Sequence, residues 1–201
     1  MVDWFDDDDQ PDELALAEDF PTLAAVARFA RMIPDVSWFA AVGEPLTPAE
    51  RADAEAYVLA LGFPDAGVAS VSDWEEAETA AKNPDWNTSW WEVEEQLRAA
   101  LTVEASEIVG DDDTLMVALT NVTSTASEVV HGAAAVAASQ SGVADPALIR
   151  AAAGAATQAC YQAALVLAAG EEEDHAFALK YRLFEAGRWP LGIVGATFNI
   201  F

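Results

Sequence analysis

The chain has 201 residues, the size of one ordinary domain, and carries 35 Asp and Glu against 9 Lys and Arg, a formal net charge of −26. Apolar residues make up 53%, which excludes wholesale disorder, and the charge excludes ready binding to phosphate backbones or anionic lipid, so neither nucleic acid nor a membrane is expected as partner. The acidity is uneven, because 28 of the acidic residues lie before position 114 with only 5 of the basic ones.

Abundant alanine with modest Gly and Pro favours helices. The expected fold is all-α: a single-domain helical bundle over residues 12–201, built around a central uncharged helical hairpin, with a short C-terminal β-hairpin. One cysteine, Cys160, excludes an intrachain disulfide. The opening Met1-Val2-Asp3-Trp4-Phe5-Asp6 has no basic and apolar regions of a signal peptide, so a cytoplasmic location is expected. No segment reaches the roughly 18 uncharged apolar residues of a membrane span. The nearest, Ala151–Ala169, is interrupted by Gly154, Thr157, Gln158 and Gln162.

Residues 1–11, with Asp6–Asp9, read as an acidic mobile tail. A first helix is predicted over Glu13–Ile33, with Pro21 allowing a bend. Thr47-Pro48-Ala49-Glu50 is a capping box that opens a second helix, stopped by Gly62. Residues 63–71 read as a loop. Ser72-Asp73-Trp74-Glu75 repeats the capping pattern for a short helix to about Lys82, and Ser89-Trp90-Trp91-Glu92 opens another that reaches Leu101 or Val109. Carboxylates gathered at these N-termini suit the helix dipole. Thr114–Gln140 and Pro146–Ala169 then form the nearly uncharged helical pair, joined by a turn with Asp145 as cap. Its small residues Gly132, Ala133, Ala137, Ala152, Ala155, Ala156 and Ala159 allow close approach, and the acidic helices are expected to cover it. A last helix is predicted over Glu171–Ala186. Beyond it, Ile193-Val194 and Thr197-Phe198 flank a Gly195-Ala196 turn. A lone hairpin is marginal in water, so its apolar end, Ile200-Phe201, is expected to pack on the helices or to mediate homo-oligomer formation.

Both histidines lie in a Glu-x-x-His pattern, Glu128/His131 and Glu172/His175, a spacing used by di-metal carboxylate helical bundles. A helical wheel opposes that use. At ~100° per residue with Leu115 at zero, the apolar Leu119, Val122, Ala126, Val129 and Ala133 lie within ~40°, whereas Glu128 falls near ~220° and His131 near ~160°. Neither Asp6–Asp9 nor Asp111–Asp113 has the alternating spacing of a calcium loop, and aspartates at a helix start serve as caps. Cys160, in an apolar helix, reads as an inert core residue. Neither a metal nor another cofactor is expected, and no catalytic motif is present.

The residues expected to bind a partner are Trp86, Trp90 and Trp91 with Glu92, Glu94 and Glu95, aromatic groups rimmed by acid. Lys180, Arg182 and Arg188 cluster near the C-terminus, and the two arginines are expected to pair with acidic helices and pin the tail. The sequence thus points to a non-enzymatic protein-binding module whose acidic N-terminal half contacts a basic protein, as inhibitor or immunity proteins do. A second reading is adaptation to high salt, in which the charge reflects habitat. A third is a helical metalloprotein using the Glu-x-x-His pairs.

Overall fold

The computed structural model describes residues 20–172 and 174–201. It is mostly helical with a small three-stranded sheet. In chain order the elements are α1 (Pro21–Met32), a 3-10 turn (Ile33–Asp35), α2 (Pro48–Ala60), β1 (Gly67–Ser70), α3 (Trp74–Ala81), α4 (Thr88–Val109), α5 (Asp112–Gln140), α6 (Pro146–Ala168), α7 (Ala176–Glu185), β2 (Pro190–Val194) and β3 (Thr197–Ile200). The expected acidic tail, and the part of the first predicted helix before Phe20, lie outside the described residues. No described helix is long and apolar enough to cross a membrane.

Short polar side chains set the helix starts. Glu50 N donates to Thr47 Oγ1 at 3.3 Å while Thr47 N donates to Glu50 Oε2 at 2.6 Å, the reciprocal box read from the sequence. The next two caps fall elsewhere than predicted. Asp73, not Ser72, caps α3 by accepting from Glu76 N, and Ser72 instead donates to the Glu76 carboxylate. Asn87, not Ser89, caps α4 by accepting from Trp90 N. In each case an Asx carboxyl or amide oxygen competes successfully with a nearby serine hydroxyl. The last helix also starts later than predicted, at Ala176, with His175 as its cap.

Residues 67–70 form a strand where a loop was expected. β1 pairs in parallel with β3, and β2 pairs antiparallel with β3, giving the order β1-β3-β2. Gly-Val-Ala-Ser has little strand character of its own. Its partner lies about 130 residues downstream, so the strand exists through pairing and not through local propensity. The Gly195-Ala196 hairpin forms as expected.

Buried side chains in the described residues gather in two clusters. One joins the inner stripe of α5 (Leu115, Leu119, Val122, Ala126, Val130, Ala134) to α6, with Leu23, Val26 and Phe29 of α1 and Phe177 and Phe184 of α7. Val129 and Ala133 sit at the margin of this stripe, because over a helix this long it drifts toward Val130 and Ala134. The other cluster holds Tyr57, Val58 and Leu61 of α2, Trp90 of α4, Leu179 and Leu183 of α7, and Ile193, Phe198 and Ile200 of the sheet. Ile200 and Phe201 are therefore buried within the chain, which removes the exposed apolar end on which self-association through the tail was to rest. The acidic helices do not cover the central pair on every side, since α5 leaves Met116 and Val117 more than 60% exposed.

Arg188, only 2% exposed, ties the segment after α7 to the loop before α2. Its Nε and Nη2 donate to the two oxygens of Glu50 at 3.0 and 3.1 Å, Nη1 donates to the carbonyls of Ala41 and Glu44, and Nη2 also donates to Pro45 O. All five guanidinium N–H groups are satisfied. The preceding Gly187, at φ 81°, permits this approach, since a Cβ there would lie 2.9 Å from Ala41 N. Arg182 reaches Asp53 of α2, so both arginines pin the tail to an acidic helix as expected. Burial would raise the Glu50 pKa, but the hydrogen bonds from Arg188 and Thr47 together hold it below its ordinary 4.5. This stabilisation is present above that value and is lost as pH falls through the lowered one. Arg188→Met leaves a largely buried carboxylate and three carbonyls without their donor. It is expected to cost about 3–5 kcal/mol in urea unfolding at neutral pH, and a loss below about 1 kcal/mol would remove this clamp from the account of the fold.

Candidate functional site

The six residues singled out for partner binding divide between the inside and the outside of the molecule. Asn87 starts α4 so that Trp90 and Glu94, one turn apart, point inward against α2 and α7. Trp90 is 5% exposed and Glu94 2%. Glu94 Oε1 accepts from Tyr57 Oη at 2.6 Å and from Lys180 Nζ at 2.7 Å. Trp90 Nε1 donates to the same Tyr57 hydroxyl at 3.2 Å, and the Lys180 ammonium lies 5.8 Å from the Trp90 ring centroid. The result is a dry junction of α2, α4 and α7 with one carboxylate and one ammonium in balance. Burial, and then the Glu94 charge and hydrogen bond, push the Tyr57 hydroxyl well above its ordinary pKa, so it stays protonated and remains a donor. Nothing here is open to a partner.

Trp86 is half-buried. Its Nε1 donates to Ala80 O at 2.9 Å and its ring packs on Trp90 with centroids 5.6 Å apart. Both indoles lie over Gly192, at φ 129°, where a Cβ would come within 2.9 Å of the Trp90 ring. Glu95 is engaged along its own helix by Arg98, whose hydrogen bond lowers the Glu95 pKa. That leaves Trp91, 52% exposed, and the exposed Glu92 as the outward members of the set. Farther along the exposed side of α4 come Val103, 59% exposed, and Glu104 and Glu107. The outward surface of α4 carries Trp91, Val103 and Ile108 among carboxylates.

The metal candidates stay apart. Glu128 and His131 are both exposed on the outer side of α5, as the wheel indicated. Glu172 and His175 precede α7 and are not on a helix, so their spacing does not place them on one face. Among the described residues no group of three or more His, Cys, Asp and Glu is placed to hold a metal ion. His175 instead caps α7, its Nδ1 accepting from Phe177 N at 3.1 Å. Of the two aspartate runs, Asp6–Asp9 lies outside the described residues, and Asp111 caps α5 by accepting from Asp113 N and Thr114 N. The Cys160 thiol is buried and pushed up to about 12 by desolvation, so it is not a thiolate at neutral pH.

Sequence reasoning missed Tyr57 and Lys180. Lys180 was detectable: it shares the inward side of α7 with Ala176, Phe177, Leu183 and Phe184, and a lysine among such neighbours needs a carboxylate. Trp90 and Glu94 at i and i+4 were the matching sign on α4. Tyr57 carried no local signal. Comparison with protein-family models, with curated proteins and with solved structures finds no match to this chain.

Lys180→Met strands Glu94 in a dry site and is expected to cost about 3–5 kcal/mol in urea unfolding. Adding Glu94→Gln removes the stranded charge and should restore at least half of that loss, and a purely additive double variant would show that the pair is not coupled. His175 supplies a pH test. Burial lowers its pKa below the ordinary 6.5 against the opposing charges of Glu171 and Asp174. As pH falls through 6.5 the unfolded chain takes up its proton first, so stability falls, and protonation also removes the Nδ1 acceptor from the cap. The drop in Tm between about pH 7.5 and 5.5 should be smaller in His175→Asn, which caps without titrating; an equal drop would assign the acid sensitivity elsewhere.

Proposed function

We propose that the chain is a non-enzymatic protein-binding module that presents the exposed side of α4 to a basic protein, in the manner of an inhibitor. The observation that carries this reading is Trp91, a half-exposed indole beside the exposed carboxylate of Glu92, while the neighbouring Trp90, Glu94 and Glu95 are all engaged within the chain. A basic partner surface finds a ring face at Trp91 and a counter-charge at Glu92, about a quarter-turn round the same helix. Much of the basic charge is turned inward or paired: Arg188 and Lys180 are buried, and Arg98 and Lys82 face glutamates on their own helices. The outward carboxylates of α3 and α4 keep their field, which speeds encounter with a basic surface.

The salt-adaptation reading draws on the same facts, since the chain has two lysines and one of them is buried. The test places a photo-reactive group at position 91, identifies the captured protein, and measures its affinity for wild type, Trp91→Ala and Glu92→Lys. The expected partner is basic, each variant binds at least about tenfold more weakly with unchanged Tm, and binding weakens from low to high salt. Indifference to both variants and to salt would sink this reading. Unfolding followed against NaCl completes the comparison: full stability at low salt excludes salt adaptation, and steep stabilisation into the molar range favours it.

A further inference from the structure

We propose that the chain self-associates through the groove between α5 and α6, and that the occupant of the groove is a second copy of the same surface. The groove is shallow and open to solvent, about 1020 Å³ in volume, and is lined by Glu128, His131 and Gly132 of α5 and Arg150, Gly154 and Tyr161 of α6, among others. Charge selects the occupant. Between Thr114 and Ala144 the only Asp, Glu, Lys or Arg is Glu128, and within α6 the only one is Arg150. On a chain of net charge −26 this face is close to neutral, so two copies meet here without opposing their acidic sides. A strongly basic partner finds its counter-charge elsewhere on the molecule.

The pattern on the face is also self-complementary. A twofold interface places residue i against residue j and j against i. An acid on α5 and a base on α6 across one groove satisfy that rule when the second copy turns over: Glu128 of each copy meets Arg150 of the other, with His131 alongside. Glu128 and Arg150 form no hydrogen bond or ion pair among the described residues, so both are free for this exchange. The size is adequate. The 29-residue α5 is about 44 Å long and has exposed residues along its whole length, whereas α6 is exposed only from its start to Tyr161, about 24 Å; at about 10 Å per helix the two present roughly 700 Å², on the order of the ~800 Å² that a standard interface covers on each partner. Met116 and Val117, exposed on the outer side of α5, extend the face with apolar surface that water does not favour.

Gly132 and Gly154 provide the test. A Cβ at either meets nothing within 4 Å, neither backbone requires glycine, and both positions are exposed, so a side chain added there can extend into solvent over the groove. In sedimentation equilibrium of the full chain at about 100 µM, wild type is expected to be a dimer that strengthens between about 0.15 and 1 M NaCl, as the acidic sides are screened. Gly132→Trp and Gly154→Trp should each weaken the dimer at least about tenfold while matching or exceeding the wild-type Tm. Glu128→Arg should weaken it, and Glu128→Arg with Arg150→Glu should restore it. Trp91→Ala should leave it intact, which separates this interface from the α4 surface. A wild-type monomer at 1 M NaCl overturns the proposal, and so does a dimer indifferent to both tryptophans and to the charge reversal.

Discussion

Burying a guanidinium is costly unless every donor is met, and the arrangement around Arg188 follows from that constraint. Five N–H groups in a rigid fork need five acceptors within one small volume. Here the Glu50 carboxylate supplies two and the carbonyls of Ala41, Glu44 and Pro45 supply three. Those acceptors coincide only when the loop before α2, the capping box of α2 and the segment between α7 and β2 are all in place. With any one of them absent the guanidinium cannot be buried without leaving donors unpaired, so its burial requires all three. The β2–β3 hairpin, too small to persist alone, follows directly from the clamped residue and gains its place through it.

The same logic organises the other basic residues of the C-terminal region. Lys180 meets Glu94, Arg182 meets Asp53 and Arg188 meets Glu50, so each crosses from the last third of the chain to an acidic helix of the first half. The step in charge at residue 114 therefore does not mark two halves that pack independently; α2 is joined to α7 by the Arg182–Asp53 pair, to the segment after α7 by the Arg188–Glu50 pair, and to both by the cluster around Tyr57. The step coincides instead with α5 and α6, helices that bury small apolar residues against each other and carry almost no charge on either side.

Legibility from the sequence tracked how local each cause was. The Thr47-Pro48-Ala49-Glu50 box, the Asp145-Pro146 start of α6 and the outward setting of Glu128 and His131 depend on neighbours within one or two turns, and all are present in the structure. β1 depends on β3, and Tyr57 joins Glu94 and Lys180 from a third helix, so neither the strand nor Tyr57 had a local signature to find; Lys180 and the Trp90/Glu94 pair did. The Glu172/His175 pair was misplaced for a related reason: the run of glutamates after Gly170 has helical propensity, but the described residues around it are extended or turned until His175 caps α7. Within the six-residue aromatic and acidic set, composition suggested a surface, and only the rotation of α4 decides which members form one.

That rotation is set from the inside. Advancing α4 by one residue turns it ~100°, which would carry Trp90 and Glu94 away from Tyr57 and Lys180 and bring Trp91 and Glu95 toward them. An apolar stripe tolerates such a shift better than a hydrogen-bonded ion pair does, because a misaligned stripe loses part of its contact area while a misaligned pair strands two charges. Buried ionic groups contribute little net stability, and fixing register is their best-attested use. Here they fix α4 so that one tryptophan of an adjacent pair is committed to the core and the other to solvent. The exposed position of Trp91 is thus not a leftover of imperfect packing. It follows from the inward anchoring of Trp90 and Glu94, and the outward surface of α4 inherits its geometry from the dry junction beneath it.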